Sequence, residues 1–171
     1  MKSFSLLIFL LAAVPGRSQT TSLPSWFTAA FRNKALNRKY DLHPYLKPSF
    51  LQADFNGDGT RDIAVPVMVK GTKKKGVLLV HGKTTEYFLF GAGTDFGTGS
   101  DDYYWVDQWG IYSHKTAFET QFNKDDEITG VKEHKLTRPG ILVEAYEDGA
   151  SIGGGIIYWN GKKYIWIHQG E

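Results

Sequence analysis

The sequence contains no cysteine and carries almost no net charge. Without cysteine there can be no disulfide bridge, no thiol nucleophile, no thiolate metal site and no lipid anchor of the lipoprotein type. Twenty Lys and Arg residues face eighteen Asp and Glu residues, which leaves a formal net charge of +2. A nucleic-acid-binding protein needs a surplus of cations to displace counterions from phosphates. The composition therefore predicts a protein without a nucleic-acid partner.

Long hydrophobic runs are also missing. The longest apolar stretch, residues 4–14, follows Lys2 and is closed by Pro15-Gly16-Arg17-Ser18. As a helix it would cover only ~17 Å of a ~30 Å hydrocarbon core, so no stable membrane insertion is expected. The pattern is typical of a secretory signal peptide over residues 1–18. We therefore expect export to the periplasm or the extracellular space, with a single domain over residues 19–171.

The remaining sequence predicts an α+β domain, in which an N-terminal helix packs on a mainly antiparallel β-sheet. After Pro24-Ser25, a helical spacing places four apolar residues on one stripe: Phe27, Ala30, Phe31 and Leu36. From residue 50 onward, short β-rich segments separated by turn residues predict strands. Their ranges are 63–69, 76–81, 86–90, part of 103–112, 141–146, 155–159 and 162–168.

The Asn160-Gly161 pair predicts a hairpin with a two-residue type I′ turn at the C-terminus. In that register Trp159 lies opposite Lys162, and Ile157 lies opposite Tyr164. Alternation then places Ile157, Trp159, Tyr164 and Trp166 on one face, and Ile156, Tyr158, Ile165 and Ile167 on the other. Both faces are strongly apolar, so the hairpin is expected to be central or covered.

One short segment has the spacing of a calcium loop. Residues 54–62 place oxygen-bearing side chains at alternate positions: Asp54, Asn56, Asp58 and Asp62, with the Thr60 carbonyl as a further ligand. Calcium prefers six to eight hard oxygen ligands, and Gly57 and Gly59 leave room for a tight bend. An EF-hand would require a glutamate at Val65 and a helix after the loop, whereas a strand is predicted there. An Asx-rich turn without an ion is the structural alternative.

The pattern Asp-x-Asn-x-Asp-Gly-x-x-Asp followed by Ile-Ala-Val resembles the calcium loop of FG-GAP or VCBS-type repeats. The whole arrangement also resembles small exported bacterial proteins of unassigned role that carry one such loop. The resemblance implies calcium ligation by Asp54, Asn56, Asp58, the Thr60 carbonyl and Asp62. It covers about thirteen residues and occurs once, so a β-propeller, which needs repeats, is not expected.

No catalytic constellation is visible in the sequence. The five histidines lack zinc spacing, and Ser113-His114 lies outside any nucleophile elbow. We therefore expect a secreted, calcium-stabilised binding or interaction module without catalytic activity, monomeric and directed at a protein or glycan partner. Two alternatives remain: a glycan or cell-wall hydrolase using Glu144 with Asp101 or Asp102, and a secreted enzyme inhibitor. A stripe of acids and aromatics over residues 101–109 is a further candidate for sugar stacking.

Overall fold

The computed structural model describes residues 22–125 and 127–170. The signal peptide predicted for residues 1–18 lies outside them. The described residues form two α-helices, α1 (Ser25–Asn33) and α2 (Leu36–Lys39), two short 3₁₀ helices (Gly97–Gly99 and Tyr103–Trp105) and eleven strands. The strands are β1 (Tyr40–Leu42), β2 (Leu51–Ala53), β3 (Asp62–Val69), β4 (Lys75–Val80), β5 (Tyr87–Gly91), β6 (Gln108–Tyr112), β7 (Thr116–Phe122), β8 (Ile128–Lys135), β9 (Gly140–Glu147), β10 (Ala150–Trp159) and β11 (Tyr164–Gln169).

The strands form two sheets and a separate hairpin, and every pairing is antiparallel. Sheet A has the order β1-β3-β4-β5, with β2 also paired to β3, and sheet B has the order β11-β10-β9-β6. Strands β7 and β8 pair only with each other. The prediction of a mainly antiparallel, single domain is confirmed. The predicted α+β class overstates the helix content, because strands make up 47% of the described residues and helices only 13%.

The helical segment is short because its backbone changes course at Ala35. This residue has φ 56°, a left-handed conformation that separates α1 from α2. The predicted apolar stripe is nevertheless buried at all four positions: Phe27, Ala30, Phe31 and Leu36. These side chains form one cluster with residues on one face of sheet A, including Ile63, Val65 and Val67. Pro44 and Pro48 follow, where helix cannot continue.

The main core lies between sheet A and sheet B. Ala64, Val77 and Leu79 from sheet A pack with Ile141, Val143 and Ile157 from sheet B. Since Ile63, Val65 and Val67 face the helices while Ala64 faces sheet B, β3 is buried on both faces. This explains why residues 62–69 form an almost unbroken apolar run.

The C-terminal hairpin confirms the predicted faces but not the predicted turn. Trp159 pairs with Tyr164 and Ile157 with Trp166, so four residues, 160–163, form the loop. The Asn160 side chain caps this wider loop, because its Oδ1 accepts hydrogen bonds from the N–H groups of Lys162 and Lys163. The register differs from the prediction by two residues. A shift of two keeps every side chain on its face, so the two face assignments hold.

Hairpin β7–β8 was not among the predicted strands. It packs on sheet B through Ala117, which is buried with Leu136, Ile156, Tyr158 and Ile167. A bulge near the tip leaves Thr129 as an extra residue, since Gln121 pairs with Gly130 and Phe122 with Ile128. Among residues 22–125 and 127–170, no helix is long and apolar enough to cross a membrane.

Candidate functional site

The predicted calcium loop connects β2 to β3, and Asp62 anchors its end. The Asp62 side chain is fully buried. Its Oδ2 accepts hydrogen bonds from the Phe55 N–H at 2.9 Å and the Asn56 N–H at 3.3 Å, and its Oδ1 accepts one from the Gly82 N–H at 3.0 Å. One carboxylate thus joins both ends of the loop to Gly82, the second residue after β4.

The other predicted ligands converge within the loop. Asp54 Oδ1 accepts hydrogen bonds from the Gly57 and Asp58 N–H groups, and its Oδ2 accepts one from Gly59. Asn56 Oδ1 also accepts from the Asp58 N–H at 3.0 Å, and Asn56 Nδ2 donates to Asp58 Oδ2 at 3.1 Å. Because Asp54 and Asn56 share one donor, their oxygens lie close together. The side chains of Asp54, Asn56 and Asp58 thus converge on one side of the bend.

Thr60 and Arg138 complete the surroundings of the loop. The Thr60 N–H donates to Asp58 Oδ1 at 2.8 Å, and no described hydrogen bond uses the Thr60 carbonyl. Arg138, from the β8–β9 connection, donates from Nη1 to the Asn56 carbonyl at 2.8 Å. A side chain at Gly57 would meet the Arg138 guanidinium at 3.1 to 3.3 Å, so glycine makes this contact possible. Sequence reasoning missed Arg138, because 82 residues separate it from Asn56.

Calcium fits this loop in part. Asp54 Oδ2, Asn56 Oδ1, Asp58 Oδ1 and the Thr60 carbonyl each keep acceptor capacity beyond their hydrogen bonds. Asp62 instead turns toward backbone N–H groups and keeps one free lone pair on Oδ1. Within the described residues no group of three or more His, Cys, Asp or Glu side chains is placed to hold a metal ion. Calcium binding therefore stays a prediction.

Two acids of the loop, Asp62 and Asp58, differ in their pKa shifts. Burial raises the pKa of the Asp62 carboxyl, although the N–H groups of Gly82 and Phe55 and the nearby His81 oppose the rise. At Asp58 the slight desolvation would raise the pKa, but hydrogen bonds from Thr60 and Asn56 lower it overall. Asp58 thus stays ionised more readily than Asp62, and a calcium ligand must be ionised.

The aromatic residues considered for sugar stacking lie mostly in the core. Tyr103 and Trp109 are buried between the sheets, and Trp105 is half-buried against the same cluster. On the C-terminal hairpin, Trp159 and Trp166 also pack against that core. Neither stripe therefore offers the open row of rings that a flat sugar surface would need.

The carboxylates considered for hydrolysis are each bonded to other groups. Asp101 forms an ion pair with Lys74, and Asp102 Oδ1 accepts a hydrogen bond from the Lys75 N–H at 2.9 Å. Glu144 Oε1 accepts one from Ser151 Oγ at 3.0 Å. Asp101 and Asp102 therefore hold the glycine-rich segment 91–102 to the turn between β3 and β4.

A different surface stands out once the fold is known: one face of hairpin β7–β8. Four apolar side chains on this face are largely exposed, and we call them the apolar platform: Phe118 (60% exposed), Phe122 (40%), Ile128 (56%) and Val131 (65%). Thr120 pairs with Val131 and Phe122 with Ile128, which places all four on one face. Single exposed apolar residues are ordinary, but a contiguous group marks an interaction surface.

The opposite face of the hairpin is held by a polar cluster. Glu119 Oε2 lies 2.8 Å from His134 Nε2 and 3.6 Å from Lys132 Nζ. Burial alone would raise the pKa of Glu119. Hydrogen bonds from His134 and the His168 backbone, together with the charge of Lys132, instead hold this pKa below its ordinary value of 4.5. This cluster and Ala117 fix one face of the hairpin to sheet B. The platform lies on the other face, where the Phe122 ring also packs edge-on against His168 of β11, with 5.8 Å between the ring centroids.

A small apolar groove of about 240 Å³ lies elsewhere, beside sheet A and α1. Its lining includes Leu23, Leu42, His43, Phe50 and Pro66. His43 is its only titratable side chain. The groove therefore lacks the convergent polar groups that orient a small ligand.

Comparison of the chain with known protein families, with curated proteins and with solved structures found no match in any of the three.

Proposed function

We propose that this protein is an exported, non-catalytic interaction module that binds a protein partner through the apolar platform. The observation that carries the proposal is the grouping of Phe118, Phe122, Ile128 and Val131 on the outward face of a hairpin whose other face is fixed. Leaving these side chains in water costs about 25 cal/mol for each Å² of apolar area. A partner that covers them recovers that free energy.

A protein partner suits this surface better than a glycan. Sugar sites combine aromatic rings with hydrogen-bonding groups, whereas Ile128 and Val131 offer only aliphatic surface. The larger aromatic side chains, such as Trp109 and Tyr103, are buried. The engagement of Asp101, Asp102 and Glu144 in local bonds supports a role without catalysis.

We propose in addition that loop 54–62 binds calcium as a structural ion. Four ligands would come from the partly exposed bend of the loop: Asp54, Asn56, Asp58 and the Thr60 carbonyl. The buried Asp62 would supply the fifth. The convergence of Asp54 and Asn56 around the Asp58 N–H supports this assignment. An external millimolar supply and a Kd near 0.1 mM would add only ~1.4 kcal/mol of stability. Calcium would therefore steady the loop without deciding whether the domain folds.

Export rests on the sequence of residues 1–18, with Lys2 ahead of a short apolar run and the small residues Gly16 and Ser18 at the expected cleavage site. The absence of cysteine fits a domain whose core provides its stability without disulfides in an oxidising compartment.

The proposal is tested by capturing partners from the native secretome with the immobilised mature protein. The Phe118→Ser, Val131→Ser double variant removes the centre of the platform, and it should keep the wild-type melting temperature because both side chains are exposed. Tyr104→Ser is the matched control, since Tyr104 is 72% exposed on another element. We expect a protein retained by wild type and Tyr104→Ser but lost from the double variant. Equal capture by all three would contradict the proposal.

A further inference from the structure

The hydrogen-bond pattern of hairpin β7–β8 shows which backbone groups of β8 point outward. The Leu136 N–H donates to the Lys115 carbonyl at 2.8 Å, and these two residues lie directly opposite each other in the register of the hairpin. In an antiparallel pair, residues whose backbone N–H and C=O groups point toward the partner strand alternate with residues whose groups point away. The outward residues of β8 are therefore Val131, Glu133 and Lys135.

The outward groups of β7 follow the same rule, and two of its outward carbonyls are hydrogen-bonded to neighbouring elements. The Phe118 carbonyl accepts a hydrogen bond from Gln169 Nε2 at 2.9 Å, and the Thr116 carbonyl accepts one from the Tyr112 hydroxyl at 2.8 Å. By contrast, no hydrogen bond within residues 22–125 and 127–170 uses the outward N–H or C=O groups of β8. The β8 edge of the hairpin is thus open, whereas the β7 edge is partly occupied by Gln169 and Tyr112.

The side chains along the open edge have a distinct order. Val131 belongs to the apolar platform, and Glu133 and Lys135 share its face, because they pair with Phe118 and Thr116. The intervening Lys132 turns to the other face, toward Glu119. An antiparallel strand added here would meet Lys135, Glu133 and Val131 in that order at every second residue. Its best complement is an acidic, then a basic, then an apolar side chain.

We propose that β8 is extended by an antiparallel strand from the partner protein, carrying an acidic, a basic and an apolar residue at alternate positions. This inference rests on the proposed function and states how the partner binds. The outward N–H and C=O groups of Val131, Glu133 and Lys135 supply main-chain hydrogen bonds, and the two charges set direction and register. The apolar platform next to the edge receives the partner's remaining apolar residues.

A second copy of this chain fits the edge less well. A two-fold pairing of β8 that used all of residues 131–135 would be centred on Glu133 and would place its carboxylate opposite the same group of the other copy. Moving the centre to Lys132 juxtaposes two ammonium groups, and like charges directly opposite destabilise a sheet. A centre at Val131 runs into the bulge at Thr129. A centre at His134 would pair Glu133 with Lys135 of the other copy, but it leaves Val131 opposite Thr137, which lies beyond the end of β8. That pairing is short, so the edge favours a different partner.

The test uses a fluorescein-labelled, acetylated peptide, Thr-Glu-Thr-Lys-Thr-Ile-Thr-Gly, and its exchanged form, in which Glu and Lys trade places. Fluorescence anisotropy is measured against wild type and the charge-reversed Glu133→Lys, Lys135→Glu variant. We expect wild type to bind the first peptide at least tenfold more tightly than the exchanged one, and the charge-reversed variant to invert this preference. No saturable binding, or no inversion, would overturn the strand-addition proposal.

A second pair of variants isolates the backbone contribution. Val131→Pro removes an outward N–H and no hydrogen bond to β7, and proline is tolerated on such edges. Val131→Thr is the matched control that keeps the N–H. We expect Val131→Pro to lose peptide binding at least tenfold relative to Val131→Thr, with melting temperatures checked for both.

These results separate failure of strand addition from failure of the proposed function. If Val131→Pro still captured the secretome partner while the Phe118→Ser, Val131→Ser variant lost it, strand addition would be wrong and the platform would remain the binding surface. If sedimentation showed a wild-type dimer that Val131→Pro abolished, the occupant would be a second copy and the proposal would be overturned. Unchanged capture by both variants would reject the proposed function itself.

Discussion

Replacing Asp62 by alanine should destabilise the domain whether or not calcium is present. Asp62 is fully buried, and its carboxylate accepts hydrogen bonds from the N–H groups of Phe55, Asn56 and Gly82. A buried donor left without a partner costs about 1–3 kcal/mol, and a partly solvated donor costs less. The Phe55 N–H is the buried donor, and the other two are partly buried.

The three lost bonds together should cost about 2–5 kcal/mol in the free energy of unfolding. Removing a buried carboxylate also relieves its desolvation, which already raises the pKa of Asp62. The net loss should therefore be about 2–4 kcal/mol, equivalent to a fall of about 5–15 °C in melting temperature for a domain of this size.

The assay is urea unfolding and thermal melting of mature wild type and Asp62→Ala, first in EDTA and then in calcium. Because Asp62 is bonded to the backbone, we expect nearly the whole loss to appear in EDTA. Asp62→Asn serves as the matched variant, since it keeps one acceptor oxygen without the charge and should fall between the two. An Asp62→Ala protein within about 0.5 kcal/mol of wild type in EDTA would refute the assignment of Asp62 as an anchor.

Three further predictions address calcium, pH and packing. Calcium should raise the melting temperature of wild type but not of Asp58→Ala, and a calcium response equal in both proteins would remove the metal claim. Folding lowers the pKa of Glu119, so its contribution to stability is present above pH 4.5 and is lost as the pH falls through the lower pKa of the folded state. The free energies of unfolding of Glu119→Gln and wild type, measured in urea, should therefore converge in acid and differ by about 1 kcal/mol at pH 7. A Cβ at Gly155 would overlap the Trp166 ring, so Gly155→Ala should lower the free energy of unfolding by about 2 kcal/mol or more. In the control Gly110→Ala, the added Cβ meets nothing within 4 Å, and chemical denaturation should give a value within about 0.5 kcal/mol of wild type.

Local patterns predicted most elements of the fold. The strand from residue 62 to 69 and the buried stripe from Phe27 to Leu36 follow directly from apolar periodicity, which depends only on which side chains must leave water. The faces of the C-terminal hairpin followed for the same reason. Its turn did not, because the Asn160 side chain can cap a four-residue loop as well as initiate a two-residue one.

The division into two sheets could not be read from the sequence. Strand order depends on contacts between segments far apart in the chain, such as β6 with β9 and β1 with β3. Strands β7 and β8 were missed because polar residues such as Glu119 and His134 interrupt their apolar residues, and Gly130 lies inside β8. The surface on which the proposed function depends is formed by this hairpin.

Loop 54–62 also has contacts that residue spacing alone could not predict. Spacing correctly grouped Asp54, Asn56 and Asp58, because alternate residues of a tight bend turn the same way. It could not show that Asp62 would bond to the N–H of Gly82, twenty residues later, or that Arg138 would contact the Asn56 carbonyl. The first contact depends on the register of β3 against β4, and the second on how the loop meets the β8–β9 connection.

The most direct test of the central claim is isothermal titration of the purified partner into wild type and into the Phe118→Ser, Val131→Ser variant at several temperatures. Burial of the apolar platform predicts a negative heat-capacity change for wild type and an affinity at least tenfold weaker for the variant. Equal affinities with equal heat-capacity changes would contradict the account.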